Sequence, residues 1–147
     1  MADKQTLTLD QLLCFSVYST GHAFNRIYKP LLDRIGLTYP QYLVMVVLWQ
    51  EDGQTVRGIG SKLFLESNTL TPLLKRLESA GLLKRERDRD DERQVRVMVT
   101  QKGRELQHEA QDVPDCVFEA CGLDMEALSD LNQKLITLRN SLEKTAG

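Results

Sequence analysis

Between Leu65 and Thr100 the chain reads LESNTLTPLLKRLESAGLLKRERDRDDERQVRVMVT. The first part has the apolar period of a helix: Leu70, Leu73, Leu74 and Leu77 fall on one face, at spacings of 3, 1 and 3. The opposite face carries Asn68, Thr71, Pro72, Lys75, Arg76 and Ser79. This helix opens at Ser67, Asn68 or Thr69 and ends at Gly81. Pro72 is comfortable only with a cap near Thr69, because a proline deeper in a helix loses a backbone hydrogen bond. After Gly81 the pattern changes. Residues 82–87 and 94–99 alternate as short strands, and every residue between them, Asp88 to Arg93, is charged. That combination predicts a hairpin with an exposed, charged tip.

Upstream, Thr55 caps a short predicted helix over 56–63. Thr38-Tyr39-Pro40 opens another, with proline in its first turn. Its residues 42–49 are apolar almost all round, the mark of a buried helix. Further back, Thr8-Leu9-Asp10-Gln11 has the capping-box pattern. Leu9, Leu12, Leu13, Phe24, Ile27, Tyr28, Leu31, Leu32 and Ile35 then trace a long first helix, interrupted near Gly21 and stopped at Gly36. Downstream, Thr100 caps a helix that runs toward Val113, where Pro114 interrupts it. The last helix carries Leu128, Leu131, Leu135, Leu138 and Leu142, a heptad seam. Apolar stripes at both chain ends exceed what a small core absorbs, so the terminal helices are expected to form a dimerisation bundle.

The 147 residues fit one domain, with 41% apolar and 27% charged residues, as in an ordinary globular protein. No apolar run has the length of a membrane span, and Met1 to Leu7 lacks an apolar export signal; no membrane association and a cytoplasmic location are expected. Cys14, Cys116 and Cys121 show no C-x-x-C spacing and do not cluster with His22 or His108, which argues against a structural metal or a disulfide framework. Nothing calls for a cofactor. The net charge of −2 conceals an asymmetry: residues 57–104 hold 12 Lys/Arg against 7 Asp/Glu, and the remainder holds 7 against 14. A basic middle on an acidic chain suits a local polyanion, with phosphates the leading candidate.

The fold class expected is mainly α with a small β-hairpin wing: a winged helix-turn-helix over 37–100, flanked by dimerisation helices over 8–36 and 101–147. The helix after the turn would enter the major groove of double-stranded DNA and present Ser67, Asn68, Thr69, Thr71, Pro72, Lys75 and Arg76. The wing would present Arg85, Arg87, Arg89, Asp91, Arg93, Gln94 and Arg96, its arginines suited to the narrow minor groove. Some of these charges, Arg85 and Arg87 beside Glu86 and Asp88, also read as plain surface ion pairs. The motifs Leu65 to Thr71, Leu74-Lys75-Arg76-Leu77-Glu78, Ala80-Gly81-Leu82-Leu83, the wing from Asp88 to Val95 and Val99-Thr100-Gln101-Lys102-Gly103 resemble the MarR family of bacterial regulators. The resemblance implies a dimer on a palindromic operator, with Asp91 bracing the wing and Arg93 entering the minor groove. It implies no enzymatic activity.

Cys14 lies in Leu12-Leu13-Cys14-Phe15-Ser16-Val17-Tyr18, in what reads as the second turn of the first helix, where the helix dipole offers little. A free cysteine is ordinarily a small buried apolar residue. Hydrogen bonds from phenols such as Tyr28 and Tyr39 would favour a thiolate. Tyr28 is fourteen residues on, roughly 21 Å along a helix, so it reaches the Cys14 of a partner chain or requires a sharp bend. Cys14 to Ser19, Tyr28 and Gly36 to Tyr42 resemble the organic-hydroperoxide repressor branch of the MarR family. That resemblance implies oxidation of Cys14 by an organic hydroperoxide to a sulfenic acid, condensation with a resolving thiol of the other subunit, and release of the operator. Cys121 is the preferred resolving residue and Cys116 the alternative. Phe15, Phe24, Leu31, Val44 and Trp49 are candidates for an apolar pocket. Two other readings stand beside it: the same fold induced by a small aromatic ligand with Cys14 unreactive, and a thiol peroxidase.

Overall fold

The computed structural model describes residues 6–147; residues 1–5, part of the stretch read as lacking an export signal, lie outside it. Two compact units are present, one ending at Val113 and one running from Pro114 to Gly147. The first contains α1 (Leu13–Asp33), α2 (Tyr39–Gln50), β1 (Gln54–Thr55), α3 (Val56–Leu63), α4 (Ser67–Ser79), β2 (Leu83–Arg87), β3 (Val95–Val99) and α5 (Gln101–Glu109). At the junction comes α6 (Val113–Ala120), and α7 (Met125–Ala146) follows. This is the mainly α, winged helix-turn-helix fold expected. Among the described residues no helix is long and apolar enough to cross a membrane.

The wing is a three-stranded sheet with β3 in the middle, not a bare hairpin. β2 pairs antiparallel with β3, Leu83 opposite Val99 and Arg87 opposite Val95. β1 adds the third strand, Gln54 opposite Val97. Two residues are too few to show an alternating pattern, so β1 left no periodic mark in the sequence. Gln54 is nevertheless buried, and its amide donates to the carbonyls of Val47 and Glu51 at 3.0 and 2.6 Å, closing the end of α2. The core gathers where the helices meet this sheet: Val44, Met45 and Leu48 of α2, Ile59 of α3, Leu70, Leu74 and Leu77 of α4, and Leu83 and Val97 of the sheet are all buried. Gly60 lets α3 turn into α4, since a Cβ there would stand 2.7 Å from the Leu65 carbonyl oxygen.

Three boundaries differ from the sequence reading, and the start of α4, left open between Ser67 and Thr69, is fixed. The Thr8 capping box exists, but it closes a single 3-10 turn, Leu9–Gln11; α1 starts afresh at Leu13. α1 is not interrupted at Gly21 and runs through both it and Pro30. α4 begins at Ser67, with the Glu66 carbonyl accepting from Leu70, so Pro72 lies in the second turn and leaves the Asn68 carbonyl without its helical donor. Pro114 does not end a helix but sits in the first turn of α6, where its missing N–H costs nothing. In the second unit, Asp124 caps α7 by accepting from the Ala127 N–H at 2.8 Å. Of the heptad seam, Leu131, Leu135 and Leu142 are exposed in the single chain.

Candidate nucleic-acid interface and thiol site

The sheet and α4 enclose an open groove of about 660 Å³. Ser67 and Thr71 of α4 line it, and Arg85, Asp91, Arg93 and Gln94 face them from the wing. Asn68, Thr69, Pro72, Lys75 and Arg76 are exposed on α4 but lie outside this groove, as do Arg87, Arg89 and Arg96 on the wing. Thr55 and Arg57 also line it and were missed from sequence. The available signal was Thr55 itself: its hydroxyl accepts from the Gly58 N–H at 3.0 Å, making it the N-cap of α3 and putting Arg57 in the first turn.

Carboxylates hold most of the wing arginines in place. The Arg85 backbone N–H donates to Glu78 at 2.9 Å, and its guanidinium reaches the other carboxylate oxygen of Glu78 at 3.1 Å. This ties β2 to α4. The Arg85 N–H, and then the guanidinium, hold the Glu78 carboxyl below its ordinary range. Arg96 donates to Asp88 at 3.0 Å and to the Gly53 carbonyl at 2.7 Å. The Asp90 N–H, ahead of Arg96, likewise lowers the Asp88 carboxyl. Asp91 accepts from both the backbone and the guanidinium of Arg93, at 3.1 and 3.3 Å, yet the Arg93 side chain remains 92% exposed at the tip. Arg87 donates to the Glu92 carbonyl at 3.3 Å. At the sheet's base, Asp52 accepts from the N–H groups of Gly53 and Val99 and from Arg104 of α5.

The thiol lies elsewhere. Because α1 begins at Leu13, Cys14 occupies the first turn, not the second, and is exposed. The sequence reading put it one turn further in, where the helix dipole offers little. Tyr28 and Tyr39 meet, with ring centroids 4.7 Å apart, and Tyr42 stands 6.0 Å from Tyr28. Burial raises the pKa of the Tyr39 phenol, which keeps it a proton donor at neutral pH. Since α1 is continuous, Tyr28 and Cys14 of one chain are separated by about 21 Å of helix; the chain does not bring its own thiol and phenols together.

Beside the phenols runs a groove of about 580 Å³, lined by Val17, Tyr18, Phe24, Asn25, Tyr28 and Tyr39 among others. Of the five apolar residues proposed for a pocket, only Phe24 lines it; Val44 is core, and Trp49 spends its indole N–H on the Gly103 carbonyl at 3.0 Å. Cys116 and Cys121 are half-buried in the second unit, and the Cys121 thiol donates to the Val117 carbonyl at 3.3 Å. Among the described residues no group of three or more His, Cys, Asp or Glu side chains is arranged to hold a metal.

Residues 26–110 match the family described as Transcriptional regulator SarA/Rot. The HTH-type transcriptional regulator TtmR of Methylorubrum extorquens (strain PA1) is 49% identical over 95% of this chain and 72% of its own length. The Organic hydroperoxide resistance transcriptional regulator of Bacillus subtilis (strain 168) is 39% identical over 94% of each chain. Among solved structures, reduced AbfR bound to DNA is 36% identical, covers 95% of both chains and has a TM-score of 0.79. AbfR, from Staphylococcus epidermidis, is also known in a disulfide-formed structure, 38% identical with a TM-score of 0.62 over 92% of this chain and 90% of that one. With a winged helix-turn-helix, a basic face and these relatives, the chain belongs to the SarA/Rot and MarR-type transcriptional regulators, close to the organic hydroperoxide and AbfR redox-sensing branch, and is a DNA-binding regulator rather than an enzyme.

Proposed function

We propose that this regulator is a homodimeric repressor that binds a palindromic operator and releases it when an organic hydroperoxide oxidises Cys14. The observation that carries the reading is the split site: an exposed thiol in the first turn of α1, and a packed phenol pair, Tyr28 and Tyr39, about 21 Å along. An antiparallel partner supplies what one chain lacks, with the phenols donating to the partner's Cys14. The thiolate sulfur attacks the peroxide O–O bond. A sulfenic acid forms, sulfur loses two electrons, and the alkoxide leaves and takes up a proton to become the alcohol. Attack by Cys121, or by Cys116, of the other subunit then forms a disulfide and expels water. The disulfide-formed AbfR structure supports a disulfide as the end state.

In the DNA complex, α4 would lie in the major groove with Ser67, Asn68, Thr69, Thr71, Pro72, Lys75 and Arg76 facing it, and the wing would bring Arg93, braced by Asp91, to the minor groove. Arg87, Arg89 and Gln94 contribute contacts at the tip, while Arg85 and Arg96 act through the fixed wing. The test is operator titration before and after cumene hydroperoxide, for wild type and Cys14→Ser. The wild type is expected to leave the DNA and the variant to stay bound. Equal release of both would make Cys14 structural and favour induction by a small aromatic ligand.

A further inference from the structure

Leu70, Leu74 and Leu77 are buried and mark the side of α4 that faces the core. At about 3.6 residues per turn, Ser67 and Thr71 fall on the flank that lines the wing groove. Asn68, Pro72, Lys75 and Ser79, spaced 4, 3 and 4, stand directly opposite the core, and all four are exposed. In a helix laid in the major groove this outermost stripe penetrates deepest, and its N-terminal residues meet the base edges. Asn68 is the first of them, and no structural task accounts for it. Asparagine favours a helix N-cap and is a poor helix former further in. Here the N-cap is Glu66, and Asn68 is the second residue of α4, where it caps nothing. Its side-chain amide has no hydrogen-bond partner among the described residues. Gln41 and Gln54 differ: each spends its amide on backbone at an end of α2. No residue from Ser67 to Leu74 is charged, so the first two turns of α4 hold neither the arginine nor the lysine that reads guanine.

We propose that Asn68 is a specificity-determining residue that reads one adenine in each half-site. A planar amide offers a donor and an acceptor side by side. On its major-groove edge adenine shows the matching pair, the N7 acceptor beside the N6 amine, whereas guanine shows two acceptors. The Asn68 N–H donates to N7, and the Asn68 carbonyl oxygen accepts from the N6 amine. Pro72, next on the stripe, has no side-chain hydrogen-bonding group and does not compete. Lys75 lies seven residues on, about 10 Å along the axis, and is left to another base or to phosphate. The inference rests on the docking of α4 proposed above and is independent of the thiol.

The experiment selects a site for the full reduced chain from a pool of random duplexes, then titrates wild type and Asn68→Ala against that site with each base pair varied in turn. Alanine is the better helix former at this exposed position, so the variant folds. Wild type is expected to require adenine at one position per half-site. Asn68→Ala should lose roughly tenfold of that preference, with the salt slope of binding unchanged. Placing 7-deazaadenine there, which lacks N7, should weaken wild type and leave Asn68→Ala unaffected. An adenine preference that survives in Asn68→Ala overturns the proposal. So does an equal loss of affinity for all four base pairs with a salt slope lower by about 2, which would make Asn68 a phosphate contact in each subunit. Replacing every purine of the site in turn by its 7-deaza analogue separates this failure from failure of the docking. Sensitivity only at purines that Asn68→Ala reads as wild type does leaves α4 in the major groove and excludes Asn68 alone. Insensitivity at every purine removes α4 from the major groove, and both readings fall.

Discussion

At the scale of single residues, two predictions separate folding from chemistry. Gly60 is fixed by a backbone approach: its absent Cβ would sit 2.7 Å from the Leu65 carbonyl oxygen, and backbone cannot swing aside as a flexible side chain does. Gly60→Ala should therefore destabilise the protein by about 1–3 kcal/mol, read as a lower denaturant midpoint at unchanged slope. Tyr28 makes the opposite case. Tyr28→Phe keeps the ring that packs on Tyr39 at 4.7 Å and deletes only the hydroxyl. A hydrogen bond to a charged group contributes about 1.5–3 kcal/mol, so oxidation of Cys14 by an organic hydroperoxide should slow by roughly 10- to 100-fold. Denaturant midpoint and operator affinity in the reduced form should stay close to wild type. An oxidation rate equal to wild type would remove Tyr28 from the thiol site.

At the scale of elements, what was legible in the sequence depended on length and period. α4 and the β2–β3 hairpin are long enough for their apolar spacing to repeat, and the charged tip from Asp88 to Arg93 admits no other reading. β1 is two residues long and is held by register with β3, a tertiary fact. The start of α1 was misjudged because a genuine capping box at Thr8 serves a 3-10 turn, and the N-cap of the helix proper, Leu12, has no capping side chain to announce it. That four-residue difference moved Cys14 from the second turn into the first. The sequence offers Arg85 both as a DNA contact and as a surface ion pair with its strand neighbours; the carboxylate it meets, Glu78 of α4, and the one Arg96 meets, Asp88, are fixed by tertiary packing and carry no sequence signal.

The Glu78–Arg85 bond makes a prediction at this scale. The Glu78 carboxyl titrates below its ordinary value of 4.5 in the folded state, so the unfolded chain takes up the proton first as pH falls. The stabilisation is complete above that value and is lost as pH drops through the folded value. Glu78→Gln should be less stable than wild type at pH 6, and the gap should close as the medium is taken below the ordinary carboxylate range. Unfolding midpoints across that range test it; a gap that persists at the acid end would mean the contact stabilises by shape and not by charge.

At the scale of the whole molecule, the charge distribution dictates how the regulator meets DNA. The chain is net negative, with its positive balance confined to residues 57–104, which contain α4 and the wing. Attraction to the duplex is therefore a property of one module per chain, and a homodimer brings two. Each phosphate neutralised releases condensed counterions, and the logarithm of affinity falls with the logarithm of salt by about 0.9 per phosphate contact. If both winged modules bind, a duplex cut down to one half-site removes the phosphates of the second module as well as its bases. The salt slope should then fall to about half that on the full operator. Scrambling the bases of one half-site while keeping its length should weaken binding but preserve most of the slope, because phosphates carry no sequence. Arg57, which lines the groove from α3, belongs to the same accounting: Arg57→Ala should lower the slope on the full operator by about 2, one contact per subunit, with little change in preference among sequences. Equal slopes on the full and half operators would mean that a single module engages DNA, and the dimer would then have to serve the thiol alone.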